Sequence, residues 1–332
     1  MERLGSLKAR ILGLIIIVCL IACGGEEKSP SKNQNKRKVE RKKVERPNFS
    51  SDSTYAFIQK QVDFGPRVPN TKAHVEAGNY LAAKLKSYQL EVIEQEAQVV
   101  AFDNTKLNIK NIIGIYKPEL NNRVLLFAHW DSRPFADNDD ERQREPIMAA
   151  NDGGSGVAIL LEIARQTQIV KPNIGVDIIF FDAEDYVDNS GSIEDYCLGS
   201  QYWAKNLHKE GYTANFGILL DMVGAKNALF GKEFNSMKYA SAYVNLVWNI
   251  AADLGHQQHF DPRPTRHVGI DDHVYVNEIA NIPSIDIIQY DPATRSFAPH
   301  WHTHDDNMDV IDKATLQAVG ETVWAAVLEE GK

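Results

Sequence analysis

Residues 300–307 read His-Trp-His-Thr-His-Asp-Asp-Asn. Neutral imidazoles and carboxylates are common protein ligands of zinc, and this segment holds three of the first and two of the second. A zinc ion that does chemistry keeps about three protein ligands and one open position, so further ligands are to be sought upstream. In an extended segment His300, His302 and His304 share one face. Their spacing therefore does not choose among them.

The elements that must position such a site can be read from the apolar pattern. Residues 124–128 (VLLFA), 176–181 (VDIIFF), 216–220 (FGILL) and 284–288 (SIDII) are short apolar runs. Helical segments at 154–168, 200–208 and 240–254 separate them. Near-continuous apolar strands alternating with helices form sheets covered on both faces. Residues 53–62 and 71–88 read as helices, 90–102 and 107–116 as a hairpin at a sheet edge, and 313–328 as a closing helix. The expected fold is α/β: a three-layer α/β/α sandwich with a mixed, mostly parallel, doubly wound central sheet.

Open α/β sheets bind ligands beyond the carboxyl ends of their strands. His129-Trp130-Asp131 follows the first run, Asp182-Ala183-Glu184-Asp185 the second and Asp221 the third, and the fourth leads through a loop to His302. Between the first two lies Asn151-Asp152-Gly153-Gly154-Ser155-Gly156, a tight loop opening a helix, where Asp152 is placed both to cap the helix and to face the cleft. Taken singly, each has a plain reading as a cap, a turn residue or a packed histidine. Together they bring acids and imidazoles to one rim.

Composition bounds the setting. The chain has 332 residues, of which 43% are hydrophobic, enough for one large domain. Arg3, Lys8 and Arg10 precede an apolar run, Ile11 to Ala22, of 12 residues, short for a bilayer span, and Leu-Ile-Ala-Cys closes it. Residues 1–22 are thus expected to be a lipoprotein signal peptide. Residues 23–46 would be a lipid-bearing Cys23 and a charged disordered tether, and 47–332 a single catalytic domain. That places the protein in a bacterial cell envelope, at the outer membrane facing the periplasm or the cell surface, held to the membrane through lipid on Cys23. Cys197 would be the one thiol left, so no intrachain disulfide is expected. Residues 24–46 hold nine Lys/Arg against four Asp/Glu, whereas residues from 47 onward hold 24 basic against 40 acidic, near −16. That balance argues against nucleic acid as a partner and suits a cationic ligand such as a peptide α-ammonium. No feature specifies an oligomeric state.

The order His-x-Asp, Asn-Asp-Gly, Glu-Asp, Asp and a late His-Thr resembles the zinc peptidase family M28, which includes di-zinc aminopeptidases and single-zinc glutaminyl cyclases. Six segments carry the resemblance: AHWDSRPFADND, NDGGSGVAILLEIAR, FFDAEDY, LLDMVGA, IDDHVYV and WHTHDDN. It is nearest to the bacterial cyclases related to the animal enzymes. The resemblance implies one Zn2+ per chain on Asp152, Asp185 and His302, with Glu184 as general acid/base and Asp221 and Asp271 as further catalytic acids. Trp301 would wall the substrate pocket, and Asp272 competes with Asp271 for the face toward substrate. His129, Asp131 and His304 would support the ligands or, for His129, hold a second metal. The substrate would be the N-terminus of a peptide or protein. In an aminopeptidase, two zinc ions would bind, the second on His129 and Asp221 with Asp152 between, and Glu184 would activate water. A third reading keeps the fold as a non-catalytic binding module.

Three features depart from the family pattern or invite another ion. Many relatives have Glu where Asp185 stands. The aromatic pocket residue of the animal enzymes has no counterpart in residues 187–193 (VDNSGSI), so Tyr186 or Tyr196 would have to replace it. The acidic loop 137–145 lacks calcium-ligand spacing and is expected to be solvated.

Overall fold

Alternation along the buried strands decides the layers. The chain was described from a computed structural model covering residues 43–265, 269–291 and 293–332. The expected signal peptide, Cys23 and the tether as far as Lys42 lie outside the described residues. Residues Lys43–Lys332 form one compact unit. Val44 packs on the core, and Arg46 pairs with Glu321 and donates to the Leu254 carbonyl.

Among the described residues there are eight strands and seven α-helices. The strands are β1 (Glu91–Val100), β2 (Lys106–Tyr116), β3 (Arg123–His129), β4 (Gly175–Phe181), β5 (Gly217–Asp221), β6 (Phe230–Lys232), β7 (Phe260–Pro264) and β8 (Ser284–Ile288). The helices are α1 (Ser51–Val62), α2 (Lys72–Ser87), α3 (Gly154–Val170), α4 (Leu198–Lys205), α5 (Phe234–Leu254), α6 (Asp272–Glu278) and α7 (Lys313–Glu330). The main sheet runs β1-β2-β4-β3-β5-β8. β1 and β2 form the expected antiparallel hairpin at one edge, and β4, β3, β5 and β8 are parallel. Val124, Leu126, Val176, Ile178, Ile285 and Ile287 point into a core shared with α1, α2, α3, α5 and α7. Their alternating neighbours, Leu125, Phe127, Ile179 and Leu219, pack with Trp203 of α4 and Val276 of α6 on the other face. The three-layer sandwich and its mixed sheet are therefore as the sequence indicates.

Side-chain caps set the helix starts: Ser50, Thr71 and Asp312 each accept a backbone N–H at 3.2 Å from the residue three positions on. The expected start of α5 at 240 coincides with a break, Ala240 at φ −142°, and the helix reaches back to Phe234. β6, β7 and α6 are too short for a period to mark them in the sequence. The free edge of β8 is covered: the Asp286 N–H donates to Ser236 Oγ at 2.8 Å, and Asn277 bonds both backbone groups of Ser284.

Strand order reverses between β3 and β5. From β3 the chain crosses through α3 to β4 on one side, then through α4 to β5 on the other. Such a switch point opens a crevice at the carboxyl ends, and His129 and Asp221 end the two strands beside it. Gly156 lets α3 approach closely, since a Cβ there would lie 2.1 Å from the Leu220 carbonyl oxygen. Among the described residues no helix is long and apolar enough to cross a membrane.

Candidate metal centre and cleft

Two groups of side chains meet at the crevice and share Asp152. In the first, one ligand atom each from Asp152, Asp185 and His302 lies within 4.8 Å of the others. His302 Nε2 is 3.7 Å from Asp152 Oδ2 and 3.6 Å from Asp185 Oδ2. Two ligands about 2.0–2.1 Å from a tetrahedral zinc lie roughly 3.3 Å apart, so the spacing is close to that of a ligand set. Asp185 Oδ2 is buried and has no hydrogen-bond partner, which leaves a lone pair for a cation. The donor set of one imidazole and two carboxylates suits zinc. In the second group, His129 Nε2 lies 3.0 Å from Asp152 Oδ1 and 3.4 Å from Asp221 Oδ1. Asp221 Oδ1 also lacks a hydrogen-bond partner.

Backbone and buried arginines hold these side chains. Asp131, at the end of β3, accepts the N–H groups of Glu184 (3.1 Å) and Asp185 (3.2 Å), tying the β4 loop to the β3 loop. Asp306 does the same for Asn151 (2.7 Å) and Asp152 (3.0 Å). Arg133 is fully buried and donates to Asp185 Oδ1 and to both oxygens of Asp137. Asp137 in turn faces His302 Nδ1 at 3.5 Å, the ring atom away from the metal group. A carboxylate there fixes the imidazole tautomer so that Nε2 offers its lone pair. Arg133, Asp137 and Asp306 lie inside segments that carry the family resemblance, but none follows an apolar strand or completes a spacing motif that would mark it as a partner of the ligands. The acidic loop is correspondingly not just solvated: Asp137 meets His302, and Asp139 Oδ2 lies 2.7 Å from His304 Nδ1.

Two local expectations change. Asp152 does not cap α3; the cap position is Gly153, with no side-chain bond to the helix. Gly153 has φ +78°, and a Cβ there would meet the His129 ring at 2.7 Å. The turn at this glycine directs the Asp152 carboxylate to His129 instead. The 300–304 segment is not extended but a series of turns, with Trp301 N–H bonded to Ala298 O and Thr303 N–H to His300 O. His302 itself sits at φ 57°. The three imidazoles therefore diverge: His302 enters the metal group, His304 binds Asp139, and His300 lies 3.3 Å from the Asn151 amide.

A cavity of about 220 Å3 opens beside the first group. Glu184, Asp221 and Asp271 line it together with the ligand triad, and Trp301, Phe297, Tyr196 and Ile193 supply apolar wall. Trp301 stacks on His302 with ring centroids 3.8 Å apart. Tyr196 takes the place expected of it; Tyr186 packs instead in a small core with Ala183 and Leu198. Asp271 lines the cavity and caps α6 by accepting the Asp272 N–H at 2.6 Å. Asp272 is fully buried.

Crowding of acids shifts their protonation. Burial, then the Asp185 charge, pushes Glu184 well above the usual carboxylate range. Burial pushes Asp185 up to about 6 against the pull of Arg133 and His302, and pushes Asp272 and Asp306 up to about 7. Asp152 moves the other way: against burial, its bond to His129 and the charges of His129 and His302 hold it low. Burial lowers His129, but Asp131, Asp152 and Asp221 outweigh it and raise the imidazole well above its ordinary value.

Residues 111–327 match Peptidase family M28. The chain is 30% identical to aminopeptidase YwaD of Bacillus subtilis over 80% of its own length, and spans 54% of that relative. A Zn-dependent exopeptidase from Parabacteroides distasonis superposes with a TM-score of 0.83 at 52% identity, covering 86% of this chain and 99% of that one. The glutaminyl cyclase of Bacteroides thetaiotaomicron, solved with N-acetylhistamine, gives 0.83 at 50% identity with the same coverage.

The raised groups make the metal-free protein less stable as pH rises. Asp185, Asp272, Asp306 and His129 hold protons in the folded state that the unfolded chain releases, so stability falls through about pH 4 to 7 for the carboxyls and goes on falling above about 6.5 through His129. Zinc binds deprotonated ligands, so its stabilisation grows over the same range. Calorimetry of metal-stripped protein should give a Tm that falls across this window, and a zinc-induced rise larger at the alkaline end. A Tm of the stripped protein that climbs with pH would contradict the assignment.

Proposed function

The chain belongs to peptidase family M28, and on that premise we propose that it is a zinc-dependent glutaminyl-peptide cyclotransferase. It is an acyltransferase that converts the N-terminal glutamine of peptides or proteins to pyroglutamate and releases ammonia. The observation that carries this reading is the small cavity in which Glu184, Asp221 and Asp271 face an aromatic wall directly beside Asp152, Asp185 and His302. Its volume suits one residue, which requires a free chain end. The 50% identity to a bacterial glutaminyl cyclase over 86% of the chain supports the choice of reaction.

Held by Asp152, Asp185 and His302, zinc would act as a Lewis acid toward the glutamine side-chain amide. Glu184 takes a proton from the α-ammonium, and its raised affinity for protons suits that task near neutral pH. The freed amine attacks the side-chain carbonyl carbon, forming the ring C–N bond. As the old C–N bond breaks, Glu184 returns that proton to the departing nitrogen, then takes the surplus proton from the ring nitrogen and passes it on, so that the products are a neutral lactam and ammonium. Asp221 and Asp271 accept hydrogen bonds from the amine and the amide N–H and so fix the near-attack geometry. Asp271 rather than Asp272 takes this part, being the one that lines the cavity. Trp301 and Phe297 cover the substrate methylenes and limit water, which would otherwise divert the amide to hydrolysis.

The shared Asp152 favours one other reading, an aminopeptidase with a second metal on His129, Asp152 and Asp221. Metal content and activity measured on one preparation separate the two. The cyclase reading expects one zinc per chain and ammonia from Gln-initiated peptides. Two zinc ions with cleavage of Leu-anilide, and no ammonia, would replace it with the peptidase. Glu184→Gln should keep zinc and fold while losing about 10²-fold or more in kcat; undiminished turnover removes Glu184 from the proton-transfer role.

We place the enzyme in a bacterial envelope, anchored through lipid on Cys23, because the basic and apolar stretches before Leu-Ile-Ala-Cys have the character of a lipoprotein leader. Cys23→Ser should release the protein from the membrane fraction of cells that express it. Unchanged membrane partition in that variant removes the lipid anchor.

A further inference from the structure

Behind Asp271 lies a carboxyl group that the reaction above does not use. Asp286, on β8, is fully buried, and neither of its side-chain oxygens receives a hydrogen bond from any donor. One side-chain oxygen of Asp286 lies within 4.8 Å of a carboxylate oxygen of Asp271 and of a ring nitrogen of His273. The nearby donors are already engaged. Ser236 Oγ donates to Glu233 at 2.9 Å and accepts the Asp286 N–H. Glu233 also takes the Asn235 and Ser236 N–H groups and faces His273 Nε2 at 3.2 Å. If His273 donates from Nε2 to Glu233, its Nδ1, which has no partner, carries a lone pair and cannot serve Asp286.

Two carboxyl groups in contact without a donor or cation between them cannot both be ionised. We infer that Asp286 is a positioning residue that carries a proton and donates it in a hydrogen bond to Asp271, holding the Asp271 carboxylate at the cleft rim. The His273 ring lies within 4.8 Å of Asp286 with its Nε2 on Glu233, and the anionic groups facing Asp286 are Glu233 and Asp221. Both add negative potential and favour keeping the proton on the pair. Burial, followed by the Asp271 charge, raises Asp286 well above the usual carboxylate range, and burial with the Asp221 and Asp272 charges raises Asp271 too, so the pair holds a proton, and the Asp272 N–H on Asp271 favours Asp271 as the ionised partner. The other oxygen of this arrangement is served locally, since Asp271 Oδ1 accepts the Asp272 N–H. The result is one negative charge with a fixed orientation where the substrate amide would lie. Its effect on turnover rests on the cyclase reading, whereas the protonation of Asp286 does not.

The test compares Asp286→Asn with Asp286→Ala in the zinc-loaded enzyme. The carboxamide still donates to Asp271, so Asp286→Asn should keep kcat within about 3-fold. The alanine lacks a donor and should lose roughly 10-fold or more in kcat through misplacement of Asp271, with KM little changed and zinc content intact. Infrared difference spectra between wild type and Asp286→Asn at neutral pH should show one protonated carboxyl band lost. The proposal is overturned if the asparagine variant folds, keeps zinc and is as impaired as the alanine, which would make Asp286 an ionised acceptor. It is overturned equally if no such band is lost, or if the asparagine variant loses one metal equivalent, which would make Asp271, His273 and Asp286 a cation site. Should the alanine variant fail to fold, the asparagine variant and the infrared spectra still decide. Should wild type release no ammonia from Gln peptides, the cyclase reading fails while the infrared comparison still judges Asp286.

Discussion

The carboxylates of Asp131, Asp152, Asp185, Asp221 and Asp306 are all buried around the carboxyl ends of β3, β4 and β5, with the partly buried Glu184 among them. Two like charges about 4 Å apart repel by roughly 4 kcal/mol even at an effective dielectric constant near 20. Such a group stays ionised only where each member has a donor or a cation. Asp131 and Asp306 use backbone N–H groups, Asp185 uses Arg133, and Asp152 uses His129. Asp185 Oδ2 and Asp221 Oδ1 receive no hydrogen bond, only the facing imidazoles of His302 at 3.6 Å and His129 at 3.4 Å, and they face the cleft. The unneutralised remainder suits a divalent cation, while burial, and then the Asp185 charge, raises Glu184 toward a useful proton affinity.

The same constraint explains why the loops at this end are rigidly tied. Asp131 joins the β3 and β4 loops, Asp306 joins the β3–α3 loop to the segment after His302, and Arg133 joins Asp185 to Asp137 and so to His302. Each tie satisfies a buried acid and at the same time fixes the position of a neighbouring ligand. A site built from five separate chain segments can hold its geometry this way, because no donor is free to reorient without leaving a charge unpaired.

Catalysis as proposed needs little chemistry from the protein and much orientation. Nucleophile and electrophile belong to one residue, so the cavity must fold the glutaminyl side chain back on its own amine and keep water away. The turns at 298–303, which put His302 at φ 57° with Trp301 stacked on it, place a metal ligand and a pocket wall on consecutive residues. Ile193 and Tyr196 close the side where the sequence shows only small and polar residues between Val187 and Ser192.

The sheet layers, the edge hairpin and the rim of acids were legible in the chain itself. Burial on both faces demands apolar runs, and a ligand cleft at strand ends demands polar residues immediately after them. His129, Glu184, Asp185 and Asp221 stand out for that reason, and Asp152 for its place in the tight loop that opens α3. Sequence order, however, carries no information on which distant groups share a hydrogen bond. Arg133, Asp137, Asp306 and Asp286 became visible only when tertiary packing set them against the ligands or against Asp271. The choice among His300, His302 and His304 was likewise made by tertiary structure: turns rather than an extended strand send the three imidazoles to different partners, and only one of them reaches Asp152 and Asp185.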